Sequence, residues 1–177
     1  MKTTTKFFAI AAALLAVTTT GLKAQSTDME KPLGVRLGVG VSGGVAAKGS
    51  PFEYGFGADA RLQFDLSKEL SLTATGGYTR LMAKDNSGED YDFIPAKGGI
   101  KVFPIGNMYA LGEIGAGFGI KEDSKTSLIW SGGIGYAWNN GLDISARYEG
   151  YSQDSASSTY RPYNGQFALR LAYGFKL

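Results

Sequence analysis

Residues that commonly perform catalysis or bind metals are scarce in this 177-residue sequence. It contains no His and no Cys, which removes the commonest general base at neutral pH and all thiolate chemistry. A Ser–His–Asp arrangement is therefore impossible, and we expect no nucleophile elbow. We expect no enzymatic activity, no catalytic or metal site and no cofactor.

Two short motifs suggest ligand binding by composition alone. Gly38, Gly40 and Gly43 match the dinucleotide spacing G-x-G-x-x-G, but no helical pattern follows them, as that motif requires. The acidic segment 85–92 offers oxygen ligands for Ca²⁺ but lacks the regular D-x-[DN]-x-[DN]-G spacing. We therefore interpret the first motif as part of a strand and the second as a solvated loop.

Ten charged side chains are the remaining candidates for a functional cluster. They are Arg36, Asp59, Arg61, Lys97, Lys101, Glu113, Asp143, Arg147, Glu149 and Arg170. Each lies in a segment of alternating residues, on the face that otherwise carries mostly Gly, Ser, Thr or Ala. Because both signs are present, we predict ion pairs. The central layer is predicted to hold Asp59, Lys97, Glu113, Arg147 and Arg170, with Arg36, Arg61, Lys101 and Asp143 nearer the short turns.

These charges are carried by segments with a period of two residues, which is typical of β-strands. In the last segment, 165–177, large apolar residues alternate with Gln166, Ala168, Arg170, Ala172, Gly174 and Lys176. The same pattern occurs in residues 34–42, 54–64, 70–78, 93–102, 109–120, 130–138 and 142–149. No helical period is sustained outside residues 1–24, so we predict eight strands and no helix.

The connections between these segments alternate in length. Tight turns are predicted at 67–69, 105–107 and 139–141, and longer polar loops at 44–51, 83–92, 121–127 and 152–164. This alternation is typical of an up-and-down barrel with a turn end and a loop end. The turns also set the register: Glu113 should lie beside residues 97–99, Arg147 opposite Gly133, and Asp59 opposite Gly77.

The distribution of charge decides which face is inside. Exposing the bulky apolar face to water would create a patch far larger than monomeric proteins tolerate. Burying unpaired charges would cost several kcal/mol each. Lipid outside and paired charges inside avoid both costs, and a sheet in lipid must close. We predict an all-β, eight-stranded antiparallel up-and-down transmembrane β-barrel, too narrow for an aqueous channel.

The first 24 residues have the features of a cleaved signal peptide. Lys2 and Lys6 precede an apolar run at 7–17, which is too short to span a bilayer as a helix. We therefore expect a signal peptide at 1–24 and a barrel domain at 25–177. The leader holds three of the 18 basic residues and none of the 16 acidic ones, leaving 15 basic and 16 acidic residues. That balance gives no reason to expect nucleic-acid binding.

With its leader, its alternating strands and the segment FIPAKGGIKVFPIGNMYALGEIGAGFG at 93–119, the chain resembles the outer membrane protein beta-barrel domain, or porin-family, group of Gram-negative bacteria. The resemblance covers about residues 32–177. It implies export to the bacterial outer membrane and contact with its lipid and lipopolysaccharide. It also implies that Tyr173, Phe175 and Leu177 form the signal that the barrel-assembly machinery recognises. Many relatives end in Phe, whereas this chain ends in Leu177.

The expected function is a structural or surface-interaction role, as a monomer whose lumen is packed by ion pairs. A surface ligand would be contacted through loops 44–51, 83–92, 121–127 and 152–164. Three alternatives stay open at this point. They are a secreted lipocalin-like carrier, an outer-membrane lipid-modifying enzyme and a narrow porin.

Overall fold

The computed structural model describes residues 34–84, 89–121, 124–152 and 165–177. Within these ranges the chain forms eight strands: β1 (Val35–Ala46), β2 (Phe52–Asp65), β3 (Leu70–Ala83), β4 (Tyr91–Ile105), β5 (Met108–Gly119), β6 (Ser127–Ala137), β7 (Leu142–Ser152) and β8 (Gln166–Lys176). No helix in the described part of the chain is long and apolar enough to cross a membrane. The predicted signal peptide, 1–24, lies outside the described residues.

The strands form one closed antiparallel barrel in sequence order. β8 pairs with β1, so that Val39 lies opposite Tyr173 and Val41 opposite Leu171. Closure gives every strand a hydrogen-bonded neighbour on both sides, as hydrocarbon requires. The predicted fold class, an eight-stranded antiparallel up-and-down β-barrel, is confirmed.

Short and long connections alternate, as predicted. The short turns are residues 66–69, 106–107 and 138–141, and they lie at the same end of the barrel as both ends of the described chain. Two turns depend on glycine with positive φ: Gly106 has φ +54° and Gly141 has φ +97°. An L side chain is strained in that region of φ, which explains glycine at both positions.

The loop boundaries predicted from sequence were wrong by one to three residues. The connections are residues 47–51, 84–90, 120–126 and 153–165 rather than 44–51, 83–92, 121–127 and 152–164. The largest error concerns residues 44–46, which belong to β1. There Gly44 pairs with Gly55 on one side and Ala168 on the other. Pairing on both sides satisfies the backbone N–H and C=O groups, so the strand continues through residues 44–46. The glycines there had suggested a loop.

The two faces of the sheet differ as the charge distribution predicted. Large apolar side chains cover the outer wall, including Ile134 at 64% exposure, Leu169 at 65% and Val41 at 60%. Inward positions carry the buried polar and charged groups, among them Lys97 and Glu113. This is the reverse of a soluble barrel, whose apolar residues line the interior.

Aromatic rings gather on the outer wall toward both ends of the strands. Near the loop end, Tyr148 lies between Trp130 and Phe167, with centroid distances of 5.5 and 4.9 Å. Near the turn end, Tyr136 contacts Trp138 at 4.7 Å and Tyr173 contacts Phe175 at 5.0 Å. Rings at these two levels are typical of the aromatic girdles of membrane barrels.

Candidate functional site

The lumen holds nearly all of the predicted charged residues in ion pairs. Nine of the ten point into the barrel and have side chains at most 13% exposed: Asp59, Arg61, Lys97, Lys101, Glu113, Asp143, Arg147, Glu149 and Arg170. Arg36 differs, because it lies at the turn-end mouth with 40% of its side chain exposed and pairs there with Asp65. Asp65 was not among the residues predicted to form ion pairs.

The first group of ion pairs is organised around Glu113 on β5. Its Oε1 accepts from Arg61 Nη2 at 3.1 Å, and Lys97 Nζ lies 3.4 Å from its Oε2. Lys97 Nζ is also 3.4 Å from Glu149 Oε1, and Glu149 Oε2 contacts Arg147 Nε. Five charges from β2, β4, β5 and β7 are thereby linked across the lumen.

Hydroxyl groups complete the surroundings of the Glu113 carboxylate. Thr75 Oγ1 donates to Oε1 at 2.8 Å, and Ser131 Oγ lies 3.3 Å from Oε2. A carboxylate that receives several hydrogen bonds and two cations can remain ionised in a site that excludes water.

The second group of ion pairs lies closer to the turns. Arg170 Nε donates to both oxygens of Asp59, at 3.0 and 2.9 Å, and Nη2 donates to Oδ1, which makes the arrangement bidentate. Arg170 also lies 3.9 Å from Asp143, which accepts from Lys101 Nζ at 2.8 Å and from the Tyr109 hydroxyl at 2.6 Å. The ammonium of Lys101 sits 3.7 Å from the centroid of the Tyr109 ring, a cation–π contact.

This grouping differs from the two layers predicted by sequence. Arg61 had been assigned to the layer near the turns, yet it bonds Glu113 in the central group. Asp59 and Arg170 had been assigned to the central layer, yet they join Asp143. Strands in a barrel are tilted and staggered, so side chains at one height come from different positions along their strands. Turn-based register applies only to neighbouring strands, where Glu113 lies opposite Gly99, Arg147 opposite Gly133, and Asp59 opposite Gly77 as inferred.

Above the charges, an apolar cluster lies at the loop end of the lumen. We name it the loop-end cluster: Phe52, Leu81, Tyr91, Phe93, Ile129 and Tyr151, each at most 7% exposed. The Phe93 ring stacks on Tyr91 at 5.1 Å and meets Tyr151 edge-on at 5.6 Å. This cluster was not predicted, because the charges on the inward face were taken as its only distinctive residues and the large apolar residues near the loop end were not considered.

Outside the barrel, a small charged group lies at the loop-end rim. Arg80 Nη2 donates to Asp90 Oδ2 at 2.6 Å, and Lys121 Nζ lies 3.6 Å from Asp92. The hydrogen bond from Arg80, together with one from the Ala83 backbone, holds the pKa of Asp90 below its ordinary value. The Arg80 and Lys121 side chains are 39% and 40% exposed, so the cations of this rim are accessible at the surface.

In the described ranges, no three acidic, His or Cys side chains are grouped so that they could hold a metal ion. The acidic segment 85–92 is only partly described, since residues 85–88 fall outside these ranges. The charged groups of the lumen form ion pairs with one another.

Comparison with known proteins identifies the family. Residues 9–175 match the outer membrane protein beta-barrel domain. The chain belongs to this family. Membership implies the bacterial outer membrane as the location of the barrel, and the apolar outer wall fits a lipid environment.

Two solved structures of one outer membrane protein show the same fold. The Yersinia pestis outer membrane protein Ail in a phospholipid bilayer nanodisc is 17% identical with a TM-score of 0.54, covering 81% of this chain and 99% of that protein. A crystal structure of Ail, the attachment invasion locus protein of Yersinia pestis, is 17% identical with a TM-score of 0.52, covering 80% and 97%. Neisserial surface protein A is 16% identical with a TM-score of 0.46, covering 81% and 97%. No curated protein matches the sequence.

Proposed function

We propose that the protein is a non-conducting outer-membrane barrel with a structural or surface-interaction role. The barrel holds four loops at one end and fills its interior with side chains. The observation that carries this proposal is the lumen itself, where the pair Arg61–Glu113 spans the interior from β2 to β5 with both side chains almost fully buried. A wide aqueous channel leaves such groups hydrated, as in porins with many more strands.

The decisive experiment combines cell fractionation with planar-bilayer recording. We expect the protein in the outer-membrane fraction, in a form whose gel mobility changes on heating, and without conductance after reconstitution. A soluble periplasmic protein would favour a lipocalin-like carrier instead. Steady conductance would favour a narrow porin and overturn the proposal.

The proposed role is not enzymatic. The whole chain lacks His and Cys, so the usual nucleophile–base pairs of lipid-modifying barrels cannot form. Mass spectrometry of lipid A should give the same species with and without the protein. A modified lipid A that depends on the protein would instead identify an enzyme.

We further propose that the rim near Arg80 and Lys121 contacts lipopolysaccharide. Both cations are partly exposed beside the outward-facing Tyr78, whose hydroxyl bonds Asp92 at 2.6 Å. Guanidinium and ammonium groups form charge-assisted hydrogen bonds with phosphates. Adding lipopolysaccharide to refolded protein should raise its thermal stability, and Lys121→Ala should reduce that gain. Lys68→Ala, at the turn end, is the matched control and should leave the gain unchanged.

Two further parts of the proposal concern partners. The barrel is proposed to be a monomer, which size measurement in several detergents can check. The last strand, with Tyr173, Phe175 and Leu177, is proposed to be recognised by the barrel-assembly machinery. A surface ligand, if there is one, would meet residues 47–51, 84–90, 120–126 and 153–165.

A further inference from the structure

We propose that the loop-end cluster is a hydrophobic seal that keeps water and ions from entering the lumen at the loop end. Its six members come from β2, β3, β4, β6 and β7, and Ala46 of β1 packs against them. Contributions from so many strands give a layer across the mouth and not a patch on one wall. Narrow apolar constrictions in membrane proteins stop conduction because water leaves them.

The boundary between the seal and the charged lumen is abrupt. Side chains two residues apart on a strand share one face, and on three strands the next inward residue below the seal is polar or lines a cavity. Toward the turn end of the barrel, the next inward residue after Leu81 is Thr79, after Phe93 it is Pro95, and after Tyr151 it is Glu149. These residues line a small cavity with room for about one water molecule, which Lys97 and Arg147 also line.

The exposure of the charges is consistent with water entering from the opposite end. At the turn-end mouth, the Asp65 and Asp143 side chains are 17% and 13% exposed. Directly below the seal, Glu149 is 2% exposed, and Glu113 in the central group is not exposed at all. The ion pairs beneath the seal therefore lie in the driest part of the barrel, where attraction between charges is strongest and an unpaired charge is most costly.

A β-bulge helps to build the seal. The register between β2 and β3 shifts between Phe52 and Tyr54. Strict alternation from the outward Tyr54 would turn Glu53 inward and Phe52 outward, but the structure has Glu53 exposed and Phe52 buried. The extra residue directs an apolar ring into the mouth and keeps a carboxylate out, which is a recognised use of bulges.

A cysteine reporter below the seal tests the inference directly. The chain contains no cysteine, so Thr79→Cys places a single thiol beside the cavity. In refolded protein, its labelling by a small, charged methanethiosulfonate should be slow. Adding Phe93→Ala and Ile129→Ala should accelerate labelling at least about tenfold, because the apolar constriction is lost.

The matched control changes the same residue types on the lipid-facing wall. Phe56→Ala with Ile134→Ala should leave the labelling rate and the absence of conductance unchanged, since both side chains point outward. Equal acceleration in the control, or no acceleration in the seal variant, would overturn the inference. If the double seal variant does not reach the heat-modifiable folded form, the single substitutions Ile129→Ala and Ile134→Ala are compared instead. Faster labelling of the Thr79→Cys thiol is then expected with Ile129→Ala only.

The inference rests on the closed lumen proposed above, and the two can fail separately. Conductance by the unsubstituted protein would overturn the non-conducting role. If the unsubstituted protein does not conduct and the seal variant is labelled at the same rate as its parent, the seal alone would be overturned.

Discussion

Arg61 on β2 reaches across the lumen to Glu113 on β5, with 3.1 Å between Nη2 and Oε1 and with both side chains at most 4% exposed. Lys97 approaches the other carboxylate oxygen at 3.4 Å. One carboxylate thus pairs with two buried cations from two strands. Such pairs are costly to break, because the remaining charge stays buried without a partner.

Replacing Glu113 is therefore expected to destabilise the barrel strongly. Glu113→Ala leaves Arg61 and Lys97 short of a counter-charge and should lower the free energy of unfolding by about 3–5 kcal/mol. Urea titration in detergent or lipid measures this. Glu69→Ala removes an exposed carboxylate at a turn and should have little effect. If Glu113→Ala unfolds at the same urea concentration as the unsubstituted protein, the central ion pairs do not stabilise the fold.

The second prediction concerns Gly40, which lies against the Arg170 guanidinium. A Cβ on Gly40 would lie 2.8 Å from Arg170 Nη2 and from Ala172 Cβ, so Gly40→Ala must displace the guanidinium that holds Asp59. We expect a loss of about 1–3 kcal/mol, the usual range for overpacking.

The control for this substitution lies on the same strand. Gly43→Ala adds a methyl group on the outer wall, where no atom lies within 4 Å. It should unfold at nearly the parental urea concentration. Equal destabilisation by both substitutions would point to a general effect on β1 and would contradict a role for Gly40 in seating Arg170.

The third prediction is a pH dependence at the loop-end rim. The pKa of Asp90 is lowered in the folded barrel, first by its hydrogen bond from Arg80. The unfolded chain therefore binds a proton at Asp90 more readily, and stability falls as pH drops from the unfolded pKa through the lower folded value. At neutral pH the contribution is fully present.

Thermal midpoints measured from neutral to strongly acidic pH check this expectation. Asp90→Asn should flatten part of the acid slope, whereas the neighbouring Glu89→Gln serves as a surface control. An unchanged slope in Asp90→Asn would show that the pair with Arg80 contributes nothing measurable. The effect is expected to be small, because both side chains are partly exposed and screened.

The fourth prediction separates assembly from folding at the C-terminal strand. Phe175 lies outward on β8, 5.0 Å from Tyr173, and pairs in register with Leu37. Phe175→Ser should reduce the amount of protein in the outer membrane of cells, while purified protein still refolds in detergent. Val39→Ser, outward on β1, is the control. Equal losses in cells and in refolding would show that Phe175 acts only through barrel stability.

The sequence alone determined the class of the protein and much of its local pairing. Alternation identified the strands and the lipid-facing wall, because a strand places successive side chains on opposite faces. Tight turns set the register of neighbouring strands, so Glu113 was correctly placed beside residues 97–99. Such inferences succeed because they depend only on residues close in the chain.

Only the tertiary structure decided which charges meet and what closes the lumen. Arg61 and Glu113 belong to strands that are not neighbours, and their contact depends on the tilt and stagger of the whole barrel. The seal depends on Phe52, which points inward because a bulge breaks the alternation at Tyr54. Distances across a closed barrel are set by all eight strands together, so no single segment of sequence contains them.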